Sequence, residues 1–401
     1  MDKKKWDLWA LASIPLLMTL GNSMLIPVLP LMEKEIGITS FQSSLIITIY
    51  SVVTIPLIPV AGYLSDRLGR KKVMVPCLLI VAVGGVIASY AAWQMSEPYL
   101  FILIGRFIQG IGASGAFPVV MPMVGDLYES EEEVSKGLGI IETANTFGKV
   151  LSPVLGAFLA VALWYLPFVA IPVLALIAVL LIVFLVSVPK EDQEEEKQSF
   201  RAFLKKVKEL LKQDARWLTG VFLAGGILIF VLFAFLFHFS SLLEDEFNKT
   251  GYVKGLWLAV PLLFLCIASY VSGSKIGSDQ KRMKILLLIG SLLTAGAFFF
   301  IRESGGLIHY TTWLSIGGVG IGIALPCLDA FITEGIPKEE RGTITSLYSS
   351  MRFIGVALGP PIAALMMKHL PNYIYVTFAV LVALVLVFTF FLINPPSKES
   401  T

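Results

Sequence analysis

The amino-acid sequence predicts an all-α membrane protein: twelve transmembrane helices in two pseudo-symmetric six-helix bundles. Three observations carry this. The chain is 56% hydrophobic and 15% charged, with a mean hydropathy of +0.81, whereas a soluble domain carries about 25% charged residues. Its apolar residues fall into runs of about 20, long enough to cross a hydrocarbon core of roughly 30 Å as an α-helix. The period-2 alternation of a membrane barrel is absent. Finally, the second half of the chain echoes the first.

The first segment, "MDKKKWDLWALASIPLLMTL", runs past the length of a signal-peptide core, with no small-residue cleavage site before "NSMLIPVLP". It is expected to stay as a membrane helix over 8–30. Further helices are expected over 43–64, 73–94, 98–125, 137–160 and 164–188, and then over 217–240, 253–273, 284–301, 307–333, 342–367 and 372–393, with boundaries good to a few residues. The domain organisation follows: an N-terminal bundle over 1–188, a cytoplasmic linker over 189–216 and a C-terminal bundle over 217–401. In the linker, Phe203, Leu204, Val207, Leu210 and Leu211 keep helical spacing among Arg201, Lys205, Lys206, Lys208 and Lys212. That pattern suits an amphipathic helix lying on the inner leaflet.

Orientation follows from the basic residues. With the N-terminus in the cytoplasm, the loops holding Arg67–Lys72, Lys190–Arg216, Lys275–Lys284 and Lys338–Arg341 share its side, and about 23 of the 31 Lys and Arg fall there. Only about five face outward: Lys34, Lys249, Lys254, Arg302 and Lys368. Both termini are therefore expected to be cytoplasmic.

The turn between the second and third helices reads "GYLSDRLGRKK". A topology signal needs positive charge alone, yet this turn sets Gly62, Asp66, Arg67, Gly69, Arg70 and Lys71 at fixed offsets. The fourth helix carries "LIGRFIQGIGAS", with Arg106, Gln109, Gly110 and Gly112. The fifth carries "GIIETANTFGKVLSPVLGA", with Gly139, Gly148, Pro153 and Gly156. Gly355, Gly359 and Pro360 repeat Gly148, Ser152 and Pro153 about 207 residues later, and Pro326 and Glu334 repeat Pro118 and Asp126. The turn is copied only in part: Gly277 stands where Asp66 would recur.

These motifs resemble the signatures of the major facilitator superfamily, in its twelve-helix drug:proton antiporter type, and the resemblance covers the chain from the first helix to the last. It implies the major facilitator fold, and a latch at the 2–3 turn in which Asp66 pairs across the interface between the halves. The fifth-helix motif implies an exporter, although Ser152 and Ala157 stand where glycine is usual. The glycines and prolines of the fifth and eleventh helices, with Gly110 and Gly112, are expected to let helices pack closely.

Charges inside the membrane mark function. Arg106, Glu142, Lys149, Asp329 and Arg352 fall within predicted helices. Glu142, Asn145 and Lys149 form one polar stripe, Thr345, Ser349 and Arg352 another. Both stripes are expected to face a central cavity, with Asn22 and Arg106 on its wall. Desolvation opposes carboxylate ionisation, which suits proton coupling. Related multidrug antiporters carry functional acids on helices 5 and 10, so the resemblance implies Glu142 and Asp329 as proton-coupling candidates. The bland alternative pairs Glu142 with Lys149 by a bent path, or Asp329 with Arg352. Asp126 and Glu334 are read as partners of the basic loops.

The expected function is proton-coupled export of small amphipathic or aromatic compounds by alternating access, in a bacterial plasma membrane. Three buried cations against two acids keep an anionic substrate open, and chains of this type also resemble exporters of catechol siderophores such as bacillibactin. A non-transporting sensor is the third reading; no added soluble domain supports it. Expected partners are the small-molecule substrate, protons and the lipid bilayer, with no nucleic acid and a monomeric state. No cofactor, metal site or enzymatic activity is expected: "GIGASG" at 110–115 lies inside an apolar helix, not after a strand, and Cys77, Cys266 and Cys327 are far apart.

Overall fold

A computed structural model describes residues 3–128, 131–186, 209, 215–276, 279–302, 304–336 and 338–393. Among the described residues twelve helices are long and apolar enough to cross a membrane: α1 (Trp6–Ile36), α2 (Ser40–Leu68), α3 (Arg70–Gln94), α4 (Tyr99–Leu127), α5 (Gly137–Ala162), α6 (Leu166–Leu185), α7 (Ala215–Asp245), α8 (Gly251–Lys275), α9 (Gln280–Phe299), α10 (Leu307–Ile332), α11 (Thr343–His369) and α12 (Pro371–Phe391). Each overlaps one expected span. A helix satisfies its own backbone polar groups, which hydrocarbon cannot do. In α1 the ladder is interrupted by a 3₁₀ turn at Ile26–Val28, where Pro27 supplies no N–H. The amphipathic linker helix, Gly277 and the side chain of Glu334 lie outside what is described.

The helix neighbours repeat between halves. Within the first half α1 packs on α5 and α6, α2 on α4, and α3 on α4 and α6. Within the second, α7 packs on α11 and α12, α8 on α10, and α9 on α10 and α12. Adding six to each number converts one set into the other, so the sequence repeat is a structural repeat. Across the halves the main pairings are α2 with α11 and α5 with α8, which the same operation also exchanges.

The repeat extends to single atoms. Lys71, at the start of α3, donates to the carbonyls of Val183 and Val186 at the end of α6, at 3.0 and 2.9 Å. Lys284, near the start of α9, donates to Phe390 O at the end of α12, at 3.2 Å. Both satisfy carbonyls that a helix C-terminus leaves open. Glycines bring backbones together where the motifs foretold. A Cβ on Gly148 or Gly156 would lie under 3.0 Å from a carbonyl oxygen of α1, and one on Gly355 or Gly359 under 3.0 Å from a carbonyl oxygen of α7. Gly110 and Gly112 meet carbonyls of α2 and α3 in the same way. Gly255 of α8 closes on the Pro153 carbonyl across the halves, and Pro360 is buried.

Gly139 corrects the expectation: it is exposed, and a Cβ there meets open space. At about 100° per residue, nine residues turn it to the face opposite Gly148, so one motif does not mean one face. Two substitutions test this reading of the glycines. Gly355→Val should overpack α11 against α7, cost about 1–3 kcal/mol or more, and lower the melting temperature of the detergent-purified protein by several degrees. Gly139→Val should leave it within a degree or so. Equal effects would mean that close backbone approach does not limit stability here.

Candidate functional site: a charge network between the halves

The polar stripe of α5 is held from both sides. The Thr19 hydroxyl of α1 donates to Asn145 Oδ1 at 2.6 Å, and Asn145 Nδ2 donates to both Glu142 oxygens at 3.2 Å. Across the half interface, Glu142 Oε1 lies 3.6 Å from Arg352 Nη2 on α11. Arg352 Nη1 also donates to Asp329 Oδ1 of α10 at 3.3 Å. One guanidinium thus joins an acid of each half, and the plane of Arg352 lies 5.7 Å above the Tyr348 ring. The second Asp329 oxygen and the Tyr348 hydroxyl are neighbours, both buried without a hydrogen bond of ordinary geometry. The pairing of Asp329 with Arg352 that the bland alternative posed is present. Glu142 turns to Arg352, not to Lys149. The other polar member of the α11 stripe, Ser349, is buried beside them in sequence.

Arg106 is answered differently. It is 1% exposed. Its Nε donates to Ile46 O at 2.9 Å, Nη1 to Gln109 Oε1 at 2.7 Å and Nη2 to Asn22 Oδ1, while its guanidinium lies 4.4 Å above the Tyr50 ring. All these partners are neutral. Asn22, Tyr50 and Gln109 line a pocket with Arg106 within the first half. Lys149 lines a second pocket together with Ser23 of α1, Ser152 of α5 and apolar side chains of α7 and α8. Asn22 and Ser23 are adjacent on α1, so that helix forms the wall between the pockets.

A family model described as the Major Facilitator Superfamily matches residues 11–360 and 315–401. The chain belongs to the major facilitator superfamily. It is 52% identical over 381 residues to a protein of Bacillus subtilis (strain 168) named "Bacillibactin exporter", with 94% of each chain covered. It is 25% identical over 383 residues to the quinolone resistance protein NorA of Staphylococcus aureus, with 92% of each covered. Among solved structures, the human organic anion transporter MFSD10 (TETRAN) superposes with a TM-score of 0.77 at 20% identity, covering 97% of this chain and all of that one. That last likeness speaks to the fold. The chain is a multi-pass membrane transporter of small molecules, of the efflux class.

The turn between α2 and α3 is built around Gly69, whose φ of 100° lies where L side chains are strained. This lets α3 begin directly where α2 ends. Arg70 then reaches back to Asp66 and to Ser65 Oγ at 3.0 Å, and across to Asp126 Oδ2 of α4 at 2.9 Å. Arg67 donates to the Tyr63 hydroxyl at 3.5 Å. Asp66 was expected to pair across the halves; among the described residues it makes an ion pair with Arg70 of its own turn. Gly62 faces α11 across the halves, where a Cβ on it would meet Ser346 Oγ at 3.4 Å.

A second ionic cluster, at the opposite end of the bundle, was missed in the sequence. Glu244 of α7 accepts from Lys34 of α1 at 2.7 Å and from Lys254 of α8 at 2.8 Å. Lys254 is 1% exposed. Ser240 donates to Ile26 O of α1 at 3.1 Å just below. The helices were expected to end at 240 and to start at 253, which put Glu244 in a loop. The apolar pair Leu242 and Leu243 was the signal that α7 runs on.

This cluster ties the halves together at its end. Glu244→Gln leaves the Lys254 ammonium buried without its carboxylate, a change worth about 3–5 kcal/mol for a buried pair, so closure at that end should weaken. With Ser240→Cys in a background lacking Cys77, Cys266 and Cys327, maleimide labelling should quicken at least about tenfold. Lys34→Met removes the exposed partner and should change labelling little. An unchanged rate in Glu244→Gln would show that these pairs do not hold the end shut.

Proposed function

We propose that the chain is a proton-driven exporter in a bacterial plasma membrane. It works as a monomer by alternating access, with both termini and the basic 2–3 turn in the cytoplasm. The observation that carries the reading is Arg352, shared inside the membrane by Glu142 of one half and Asp329 of the other. The moving units are the bundles 1–188 and 217–401, joined by 189–216. In the cycle, a proton arriving from outside neutralises Glu142 or Asp329 and loosens its hold on Arg352. Glu142 and Arg352 lie on different halves, so the cytoplasmic end then opens. The proton leaves, substrate enters, and the re-ionised acid closes on Arg352 again. No enzymatic step is needed.

For the substrate we favour an anionic metabolite of the siderophore class over a broad set of drugs. The exporter named for bacillibactin shares 52% of its residues with this chain, NorA 25%, and three buried cations stand against two acids in the central region. The drug-efflux reading keeps the support of NorA and of the macrolide efflux protein A of Streptococcus pyogenes, 25% identical over 317 residues.

In proteoliposomes with an imposed pH gradient, the wild-type protein should concentrate a catechol siderophore. Glu142→Gln and Asp329→Asn should each reduce accumulation to the passive level, while substrate exchange without a gradient survives. Accumulation undiminished in both variants would place the coupling site elsewhere. Strong accumulation of lipophilic dyes alone would return the substrate assignment to the multidrug reading.

A further inference from the structure

Lys149 is a deep cation with no close partner for its ammonium among the described residues; Glu142 and Asp329 act on its charge only from a distance. It is 8% exposed and makes no ion pair among the described residues. The acid on its own stripe, Glu142, lies two turns away, about 10 Å along the axis at 1.5 Å per residue, and is committed to Asn145 and Arg352. Arg106, by contrast, has donated from Nε and both terminal nitrogens to fixed neighbours and is stacked on Tyr50. It has little left to offer a ligand. An ammonium has three donors and no acceptor, and Lys149 lines the pocket between α1, α5, α7 and α8.

The rest of that cavity sets what can enter. Ser23 and Ser152 supply hydroxyl oxygens beside the ammonium, and the Ser152 hydrogen is spent on the Lys149 carbonyl at 3.0 Å. The facing wall is apolar: Leu232, Phe233 and Leu236 of α7, Leu258 and Leu262 of α8. One cation and two small hydroxyl groups against an apolar wall that includes the Phe233 ring suit an apolar or aromatic group bearing a negative charge. We infer that Lys149 is the anion subsite of the transport cavity and selects aromatic ligands carrying a carboxylate or an ionised phenol. The inference rests on the reading that small molecules are exported through this cavity. It adds the group that reads their charge. Because the lining comes from α1 and α5 of one half and α7 and α8 of the other, a ligand held there touches both moving units.

Binding to the detergent-purified full chain tests this apart from transport. The probes are 2,3-dihydroxybenzoate and catechol, which share a ring and differ in charge at neutral pH. Wild type should bind the anion at least about tenfold more tightly than catechol. Lys149→Gln should remove that preference and leave catechol affinity unchanged. Lys149→Arg should keep most of it. With no ligand present, Lys149→Met should melt no lower than wild type, because it relieves a buried charge without a close partner; its stem-like side chain also serves if the Gln variant does not fold. No charge preference in wild type, or a preference that survives Lys149→Gln or Lys149→Met, overturns the inference. Charge-selective binding without gradient-driven transport would instead strike the exporter reading and leave the subsite standing.

Discussion

A charge inside hydrocarbon must be answered by another group, and the centre of this bundle is arranged around that requirement. Even on the mild insertion scale each unanswered charge costs about 2.5–3.5 kcal/mol. Arg352 is answered by two carboxylates, which fixes α5, α10 and α11 beside one another. Glu244 is answered by two ammonium groups, which fixes α1, α7 and α8 at the other end. Arg106 is answered by amide and carbonyl dipoles and an aromatic face, all within its own half. The first two arrangements cross the interface between halves. The third does not, so it survives any relative motion of the bundles.

That difference separates rigid from movable parts. Inside each half the helices approach at glycines, backbone against carbonyl, a contact with no slack. Between the halves lie α2 against α11, α5 against α8, and one ionic cluster toward each end. Rigid-body rocking of two repeats about a central site is the natural motion of such a design. In the proposed cycle the clusters exchange roles: opening at the Glu142–Arg352 end leaves the Glu244 cluster closed, and the reverse. Each ion pair is then a lock on one state, and protonation of a carboxylate is a means of release.

Most of the architecture was legible because hydropathy and spacing are local properties. Twelve apolar runs became twelve helices, and the 207-residue echo became a repeat of neighbours, down to Lys71 and Lys284 on the ends of α6 and α12. What the sequence hid depended on rotation about helix axes and on length. Gly139 belongs to the same motif as Gly148 but faces away. Glu142 was offered Lys149 as a partner because both lie on α5; its cation came from α11, 210 residues distant in the chain. Glu244 fell outside the expected helices and Lys254 was counted as an outward-facing charge, since hydropathy windows end where a charge begins, even where the helix continues and the charge is buried. The 2–3 turn brought Asp66 and Arg70 together, yet spacing alone could not say that Arg70 would take both Asp66 and Asp126.

The distribution of charge between the halves gives the exchange of proton for substrate a physical route. Lys149, which has no close ion pair among the described residues, and the acid that reaches across the interface, Glu142, stand two turns apart on the same face of α5. A substrate anion drawn to Lys149 leaves that stripe more negative, and a proton on Glu142 makes it more positive. Charge alone would favour loading the two together, which is symport. Antiport requires that the conformations decide. In the proposed cycle, ionised Glu142 closes on Arg352 and the cavity with its anion faces outward, and protonated Glu142 leaves that end free to open inward. Substrate and proton therefore exclude each other in time through α5 and its partner α8, not by contesting one binding atom. The acid can be placed away from the anion subsite for that reason, and the two turns between Glu142 and Lys149 serve the cycle better than a direct ion pair would.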